Sequence, residues 1–167
     1  LSVSLRAQDQ DYSDFLNTTD ATRVQPSIGP IDRVSNILFS SGTTGTPKAI
    51  PWTQLTPIKA AADAWAHHDI KPEDVVVWPT NLGWMMGPWL IYASLLNGAA
   101  IGVFEGSPRG TEFARFVEGA KVTMLGVVPS LVKAWRSSGA VDGFNWRGIR
   151  RYSSTGEASN PDDMAWL

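Results

Sequence analysis

The sequence predicts an α/β fold, a mostly parallel sheet flanked by helices, on three observations. Strand-like runs at 75–78, 99–104, 122–128 and 150–153, the first three largely apolar, alternate with segments of helical character. Prolines stand where helices begin, as at Pro129 and Pro161. With 167 residues and 43% hydrophobic content, the chain is also large enough to bury a sizeable core. Strands that alternate with helices imply right-handed crossovers and a sheet covered on both faces.

Taken in order, residues 1–35 are polar, end in Pro26-Ser27-Ile28-Gly29-Pro30, and suit a short helix only at 11–17. They are expected to form a peripheral lead-in to a partial domain at 36–167. Residues 36–40 read as a strand. Pro47 and Pro51 oppose a helix directly afterwards, so the chain is expected to leave the next loop extended. Thr56 is expected to cap a helix with Pro57 in its first position and with Ile58, Ala61, Ala62 and Trp65 on one face. His67 and His68 end that helix, where they complement its dipole. Adjacent side chains on a helix point about 100° apart, so the pair does not suggest a shared metal ion. The run 75–78 is fit for a central strand, 88–96 for a helix, and 99–104 for a second strand. A helix at 112–118, a strand at 122–128, a helix at 129–137 and a strand at 150–153 follow. Asn160-Pro161 then starts one more helix.

Composition narrows the function classes. A net charge of −2 offers no cationic footprint for nucleic acid or an anionic membrane, so the eight Trp are read as core and pocket residues. The absence of Cys excludes disulfides and thiolate metal sites. Residues 75–104 carry no charge and are long enough to cross a bilayer, but Pro79, Asn81, Gly83, Gly87, Pro88, Asn97 and Gly98 divide them into short pieces, so no membrane span is expected. The chain starts at Leu1 without a signal-peptide pattern and is read as part of a longer protein.

In an open α/β sheet, ligands gather at the carboxyl ends of the strands, which directs attention to three loops. The first is Ser40-Ser41-Gly42-Thr43-Thr44-Gly45-Thr46-Pro47-Lys48. Gly42 and Gly45 allow positive φ, so that successive N–H groups can converge on phosphate oxygens. Thr43, Thr44 and Thr46 add hydroxyls, and Lys48 adds a flexible cation. A Walker loop is excluded, because Pro47 stands where its second glycine belongs and no Ser or Thr follows Lys48. The same composition would also serve a surface hairpin without a ligand. The second loop is 79–88, where Trp84, Met85 and Met86 form an adaptable apolar set that fits either a pocket wall or ordinary core. The third is 153–159, which contains Thr155-Gly156-Glu157-Ala158. It also fits a strand-to-helix turn with Asn160 as N-cap. No nucleophile motif or paired carboxylates point to hydrolysis.

The nine residues 40–48 resemble the phosphate loop of the AMP-forming adenylating enzymes, a family that includes acyl-CoA synthetases, luciferases and peptide-synthetase adenylation domains. The flanking Asn36-Ile37-Leu38-Phe39 and Ile50-Pro51-Trp52-Thr53-Gln54 look closest to acetyl-CoA-synthetase-like plant acyl-activating enzymes. Ala49 departs from the family's usual glycine, and Ala158 from its usual proline. The resemblance implies part of the large N-terminal domain of such an enzyme. It also implies that Ser41, Gly42, Thr43, Thr44, Gly45, Thr46 and Lys48 contact the phosphates of ATP, with Lys48 and Thr44 foremost in catalysis. Gly156, Glu157 and Ala158 would line the adenine, and Trp84, Met85, Met86 and Thr155 the acyl group. A bulky set of this kind would favour a short or compact acid. The implied reaction joins a carboxylic acid to the α-phosphate and then to coenzyme A, with Mg²⁺ accompanying ATP, in the cytoplasm or a peroxisome. A non-catalytic nucleotide-binding module, or an adenylation domain that loads a carrier protein, are the alternatives. The family's aromatic-Gly-x-Thr-Glu segment, ribose-binding Asp and small C-terminal domain would lie beyond Leu167.

Overall fold

The structure, a computed structural model, describes residues 6–7, 9–17, 25–40 and 45–167. They fall into two compact units, Leu1–Pro30 and Ile31–Leu167. In the first, α1 (Tyr12–Asn17) is entered through Asp11, whose Oδ1 accepts from the Ser13 N–H at 2.8 Å.

The second unit opens with β1 (Val34–Ser40) and β2 (Lys48–Thr53), which pair antiparallel from Val34 opposite Thr53 to Ser40 opposite Lys48. The extended exit from the loop is therefore present, but the strand before the loop does not join the parallel sheet. A connection of a few residues can only return a strand alongside itself, whereas parallel neighbours need a crossover of a dozen or more. Pro51 is tolerated in β2 because both strands of a two-stranded ribbon are edges.

Helix α2 (Leu55–His68) starts one residue before the expected cap. Thr56 lies inside it, and its Oγ1 accepts from the Thr53 N–H at 3.2 Å. Pro57 is accommodated because the first turn has no use for its missing N–H. The packed face also differs from the expected one. Ile58 and Trp65 are 56% and 65% exposed, whereas Ala60 and Ala64 are buried. The small alanines let α2 approach α3 (Met86–Leu95) closely, and Asn97 Nδ2 ties the pair by donating to Ala61 O and Ala93 O at 2.9 and 2.8 Å. Asp69 ends α2 in the left-handed region at φ 52°.

The parallel sheet runs in the order β4 (Ala100–Ile101), β3 (Val75–Val77), β5 (Met124–Val127), β6 (Arg151–Ser154). Strand β4 is shorter than the predicted 99–104. After Gly102 donates to Val76 O, the chain leaves the sheet and Phe104 joins Phe113 and Phe116 at ring separations of 5.3 Å. Residues alternate between the two faces. Val77 and Leu125 pack with Phe113, Val117 and Trp135 of α4 (Thr111–Gly119) and α5 (Pro129–Ser138). Val76 and Met124 pack instead with Ala64, Leu90 and Ala93 of α2 and α3. The last helix, α6 (Pro161–Trp166), is capped by Asn160, whose Oδ1 accepts from Asp162 N at 2.8 Å. That cap was legible in the sequence.

Beneath the strands, at their amino ends, Asp74 is buried. Its Oδ2 accepts from Lys71 N at 2.8 Å, and its Oδ1 accepts from Thr123 Oγ1 at 2.7 Å and from Arg150 Nη2.

Candidate functional site

The opposite, carboxyl ends of the strands carry the second and third loops singled out above, while the first, expected there too, joins β1 and β2 of the separate hairpin. In the first, Ser41, Gly42, Thr43 and Thr44 lie outside the described residues. Gly45 takes φ 83°, a conformation open to glycine without strain. Thr46 is exposed after it, and Lys48 opens β2 opposite Ser40 with its side chain exposed. The hairpin is joined to α3 through Tyr92, whose hydroxyl donates to Asn36 Oδ1 at 3.3 Å and whose ring lies 6.4 Å from that of Trp52.

In the second loop, Asn81 Oδ1 accepts from Gly83 N at 2.8 Å, and Gly87 N donates to Trp84 O at 2.9 Å. A Cβ on Gly87 would meet the Leu82 backbone at 2.4 Å, so only glycine lets this loop fold over the start of α3. The turn aims three consecutive large side chains in different directions. Trp84 borders a cavity of about 450 Å³ against the hairpin, lined by Leu38, Phe39, Ser40, Ile50 and Trp52. Met86 borders a second cavity of about 420 Å³ at the sheet edge, together with Trp78, Trp89, His68 and Thr155. Met85 borders both cavities. The predicted acyl-group residues are thus brought together as Met85, Met86 and Thr155, while Trp84 faces the hairpin side. Neither cavity is lined by Lys48 or by Gly156, Glu157 and Ala158.

One wall of the second cavity is aromatic, and Lys59, Asp63 and Ser153 are among the polar residues that complete its lining. His68 meets Trp89 edge to face at 5.4 Å, and Trp89 meets Trp78 at 5.4 Å and 75°. Trp78 lies directly on Gly126 of β5, where a Cβ would come within 1.9 Å of its ring. Burial lowers the pKa of His68 below 6.5, and the neighbouring His67 and Arg151 add to the effect. The imidazole is therefore held toward its neutral form. Sequence reasoning assigned His68 only to the end of a helix and did not single out Trp78 or Trp89. Periodicity held a signal for Trp89, which follows Met86 by three positions and so shares its side of α3. Nothing in the sequence marked His68, because its place depends on how α2 docks.

In the third loop, Thr155 N donates to Val127 O at 3.3 Å, and Gly156 follows at φ 92°. Glu157 turns toward α5. Its Oε2 accepts from Ser130 N and its Oε1 from Ser130 Oγ, both at 2.8 Å. Val128, in the N-cap position of α5, has no side-chain acceptor, so this distant carboxylate satisfies the helix terminus. Arg136 Nη1 and Asp163 Oδ1, 2.8 Å apart, add a tie between α5 and α6. Among the described residues, no group of three or more His, Asp or Glu is placed to hold a metal ion.

Comparison with known proteins gives consistent matches. A family model described as AMP-binding enzyme covers residues 2–167. The chain is 62% identical over 154 residues to hexanoyl-CoA synthase of Cannabis sativa, covering 92% of this chain and 21% of that one. It is 53% identical to the peroxisomal acyl-activating enzyme 17 of Arabidopsis thaliana, covering 99% of this chain and 23% of that one. Acetoacetyl-CoA synthetase from Streptomyces lividans superimposes with a TM-score of 0.80 at 33% identity, covering 92% of this chain and 24% of that one. The chain spans less than a quarter of the length of each of these three relatives.

Proposed function

Since the chain belongs to the AMP-binding enzyme family, we propose that it forms the phosphate-loop and acyl-binding part of an ATP-dependent carboxylate–CoA ligase. The observation that carries this reading is the meeting of Met85 and Met86, from the loop after β3, with Thr155, from the loop after β6. They line one cavity of about 420 Å³ at the carboxyl edge of the parallel sheet.

In this reading the acid's carbon chain lies against Met85, Met86, Trp78 and Trp89, and its carboxylate attacks the α-phosphate of ATP. The products are an acyl adenylate and pyrophosphate, after which the thiol of coenzyme A takes the acyl group and releases AMP. Charge develops on phosphate oxygens, so the protein acts by orientation and by fixed positive potential. Ser41, Gly42, Thr43, Thr44, Gly45 and Thr46 would donate hydrogen bonds to the phosphates, and Lys48 would offset the charge of the leaving pyrophosphate. Mg²⁺ would arrive with ATP as its counter-ion. Gly156 and Ala158 would line the adenine through backbone, beside a Glu157 whose carboxylate is engaged by Ser130. Coenzyme A as acceptor is supported by the relatives named for it. A peroxisomal setting is supported by the compartment given for the Arabidopsis relatives. Among the described residues, no helix is long and apolar enough to cross a membrane.

The test is exchange of labelled pyrophosphate into ATP by the protein expressed from its complete gene, over a panel of acids from acetate to decanoate. Acid-dependent exchange with a length optimum is expected. Absence of exchange with every acid overturns the reading.

A further inference from the structure

We propose that Ser130 is a positioning residue for the nucleotide's base, an inference that rests on the adenylating function proposed above. Ser130 makes no contact with the cavities and lies on a helix rather than in a ligand loop. Its two hydrogen bonds are nevertheless directed at the middle of the segment expected to receive the adenine. Ser130 N donates to one oxygen of Glu157, and Ser130 Oγ donates to the other.

The backbone bond alone would satisfy the start of α5, as an ordinary helix cap would. The hydroxyl bond adds nothing to the helix, because no helical donor or acceptor is completed by it. Its effect falls on Glu157, since engaging both oxygens fixes the carboxylate plane as well as its position. A local cap at position 128 would serve α5 equally, yet that position is Val and the cap is drawn from 27 residues downstream. The geometry therefore couples the start of α5 to the β6–α6 segment.

The segment has particular need of such a fixture. Gly156 stands at φ 92°, where a glycine has the widest backbone freedom. It is held on one side by Thr155 N donating to Val127 O, at 3.3 Å. On the other side, Asn160 caps α6. Between these points, Glu157 on Ser130 and a 3.5 Å approach of Ser154 Oγ to Ser159 Oγ restrain the segment, and with it the peptide planes of Gly156 and Ala158. A flat base recognised by backbone is sensitive to those planes, whereas a triphosphate held elsewhere is not.

The test compares wild type, Ser130→Ala and Ser130→Thr in the complete protein, with AMP and inorganic pyrophosphate as separate probes. Ser130→Ala should weaken equilibrium binding of AMP, and raise KM for ATP in pyrophosphate exchange, by about 10-fold, the low end for a hydrogen bond to a charged group because this one is exposed. Binding of pyrophosphate, KM for the acid and kcat should stay within about twofold, and Ser130→Thr should restore AMP binding. Unchanged AMP binding in Ser130→Ala overturns the inference. Equal losses for AMP, pyrophosphate and acid, unrestored by threonine, also overturn it by showing a general structural role. If wild type lacks exchange but binds AMP in a Ser130-dependent way, the ligase reading falls while the positioning role stands. If wild type binds neither AMP nor ATP, both fall.

Discussion

Arg150 reaches 76 residues back along the chain to donate from Nη2 to Oδ1 of Asp74, which closes the amino-terminal edge of three adjacent strands. Thr123 Oγ1 shares the same carboxylate oxygen, at 2.7 Å. Burial by itself would raise the pKa of Asp74, but the hydrogen bonds from Arg150, Thr123 and the Lys71 N–H outweigh it and hold the carboxyl below 3.8. A depressed carboxylate contributes stability that is complete above its unfolded value and is lost as pH falls through the folded one. Asp74→Asn should therefore destabilise by about 1–3 kcal/mol at pH 7, as expected for an unsatisfied group beside a half-exposed partner. The gap to wild type should be narrower at pH 3 than at pH 7, because the folded carboxyl titrates below 3.8. Urea unfolding at the two pH values measures it, and an equal gap at both would contradict the linkage.

His68 supplies a second, separate pH window. Its folded pKa lies below 6.5. The unfolded state thus gains a proton first on acidification, and wild-type stability should fall from pH 7 toward pH 5. His68→Phe keeps an aromatic edge against Trp89 and cannot protonate. Thermal melts of this variant should be flatter across that range, and parallel profiles would remove the assigned cause.

Gly126 is required by the ring above it. Ala at this position would place a methyl inside Trp78, and the resulting shift should cost about 1–3 kcal/mol by overpacking. The urea midpoint should drop at unchanged slope. A variant as stable as wild type would mean that Trp78 has another place to go.

Met85 separates two cavities, so Met85→Ala should join them. For the proposed ligase, the ratio of kcat/KM for octanoate over that for acetate should rise by about 10-fold or more, in line with 1–3 kcal/mol per methylene fitted in an apolar pocket. An unchanged length profile would place the carbon chain elsewhere.

Lys48 stands exposed at the mouth of the hairpin. Lys48→Met should slow pyrophosphate exchange by about 10²–10³-fold, as does loss of one donor to developing charge. Stability should change by no more than about 0.5 kcal/mol, as for surface substitutions. Wild-type exchange rates would exclude Lys48 from the chemistry.

Strand positions were legible because covered parallel strands read as continuous apolar runs, and 75–78 and 122–128 are such runs. Strand ends were less so, since Phe104 is as apolar as Ile101 yet serves an aromatic cluster outside the sheet. The extended exit from the first loop was legible in Pro47 and Pro51, but not that it returns alongside β1 as a hairpin apart from the parallel sheet. The face of α2 was misjudged for a reason of volume. Large Ile58 and Trp65 look like core, but a close helix contact selects Ala60 and Ala64. In the second loop the residue types suited a pocket wall and ordinary core equally, and folding divides them, with Met85, Met86 and Thr155 on one cavity and Trp84 on another. The bond between Glu157, which the sequence had singled out, and Ser130, which it had not, spans 27 positions, and only folding brings them together.

The parallel sheet has two unlike rims. At one, a buried acid, a hydroxyl and a guanidinium lock the strand starts; at the other, methionines and a threonine border open space. Substitutions around the open rim therefore leave the strand starts untouched, while changes at the locked rim reach the scaffold itself.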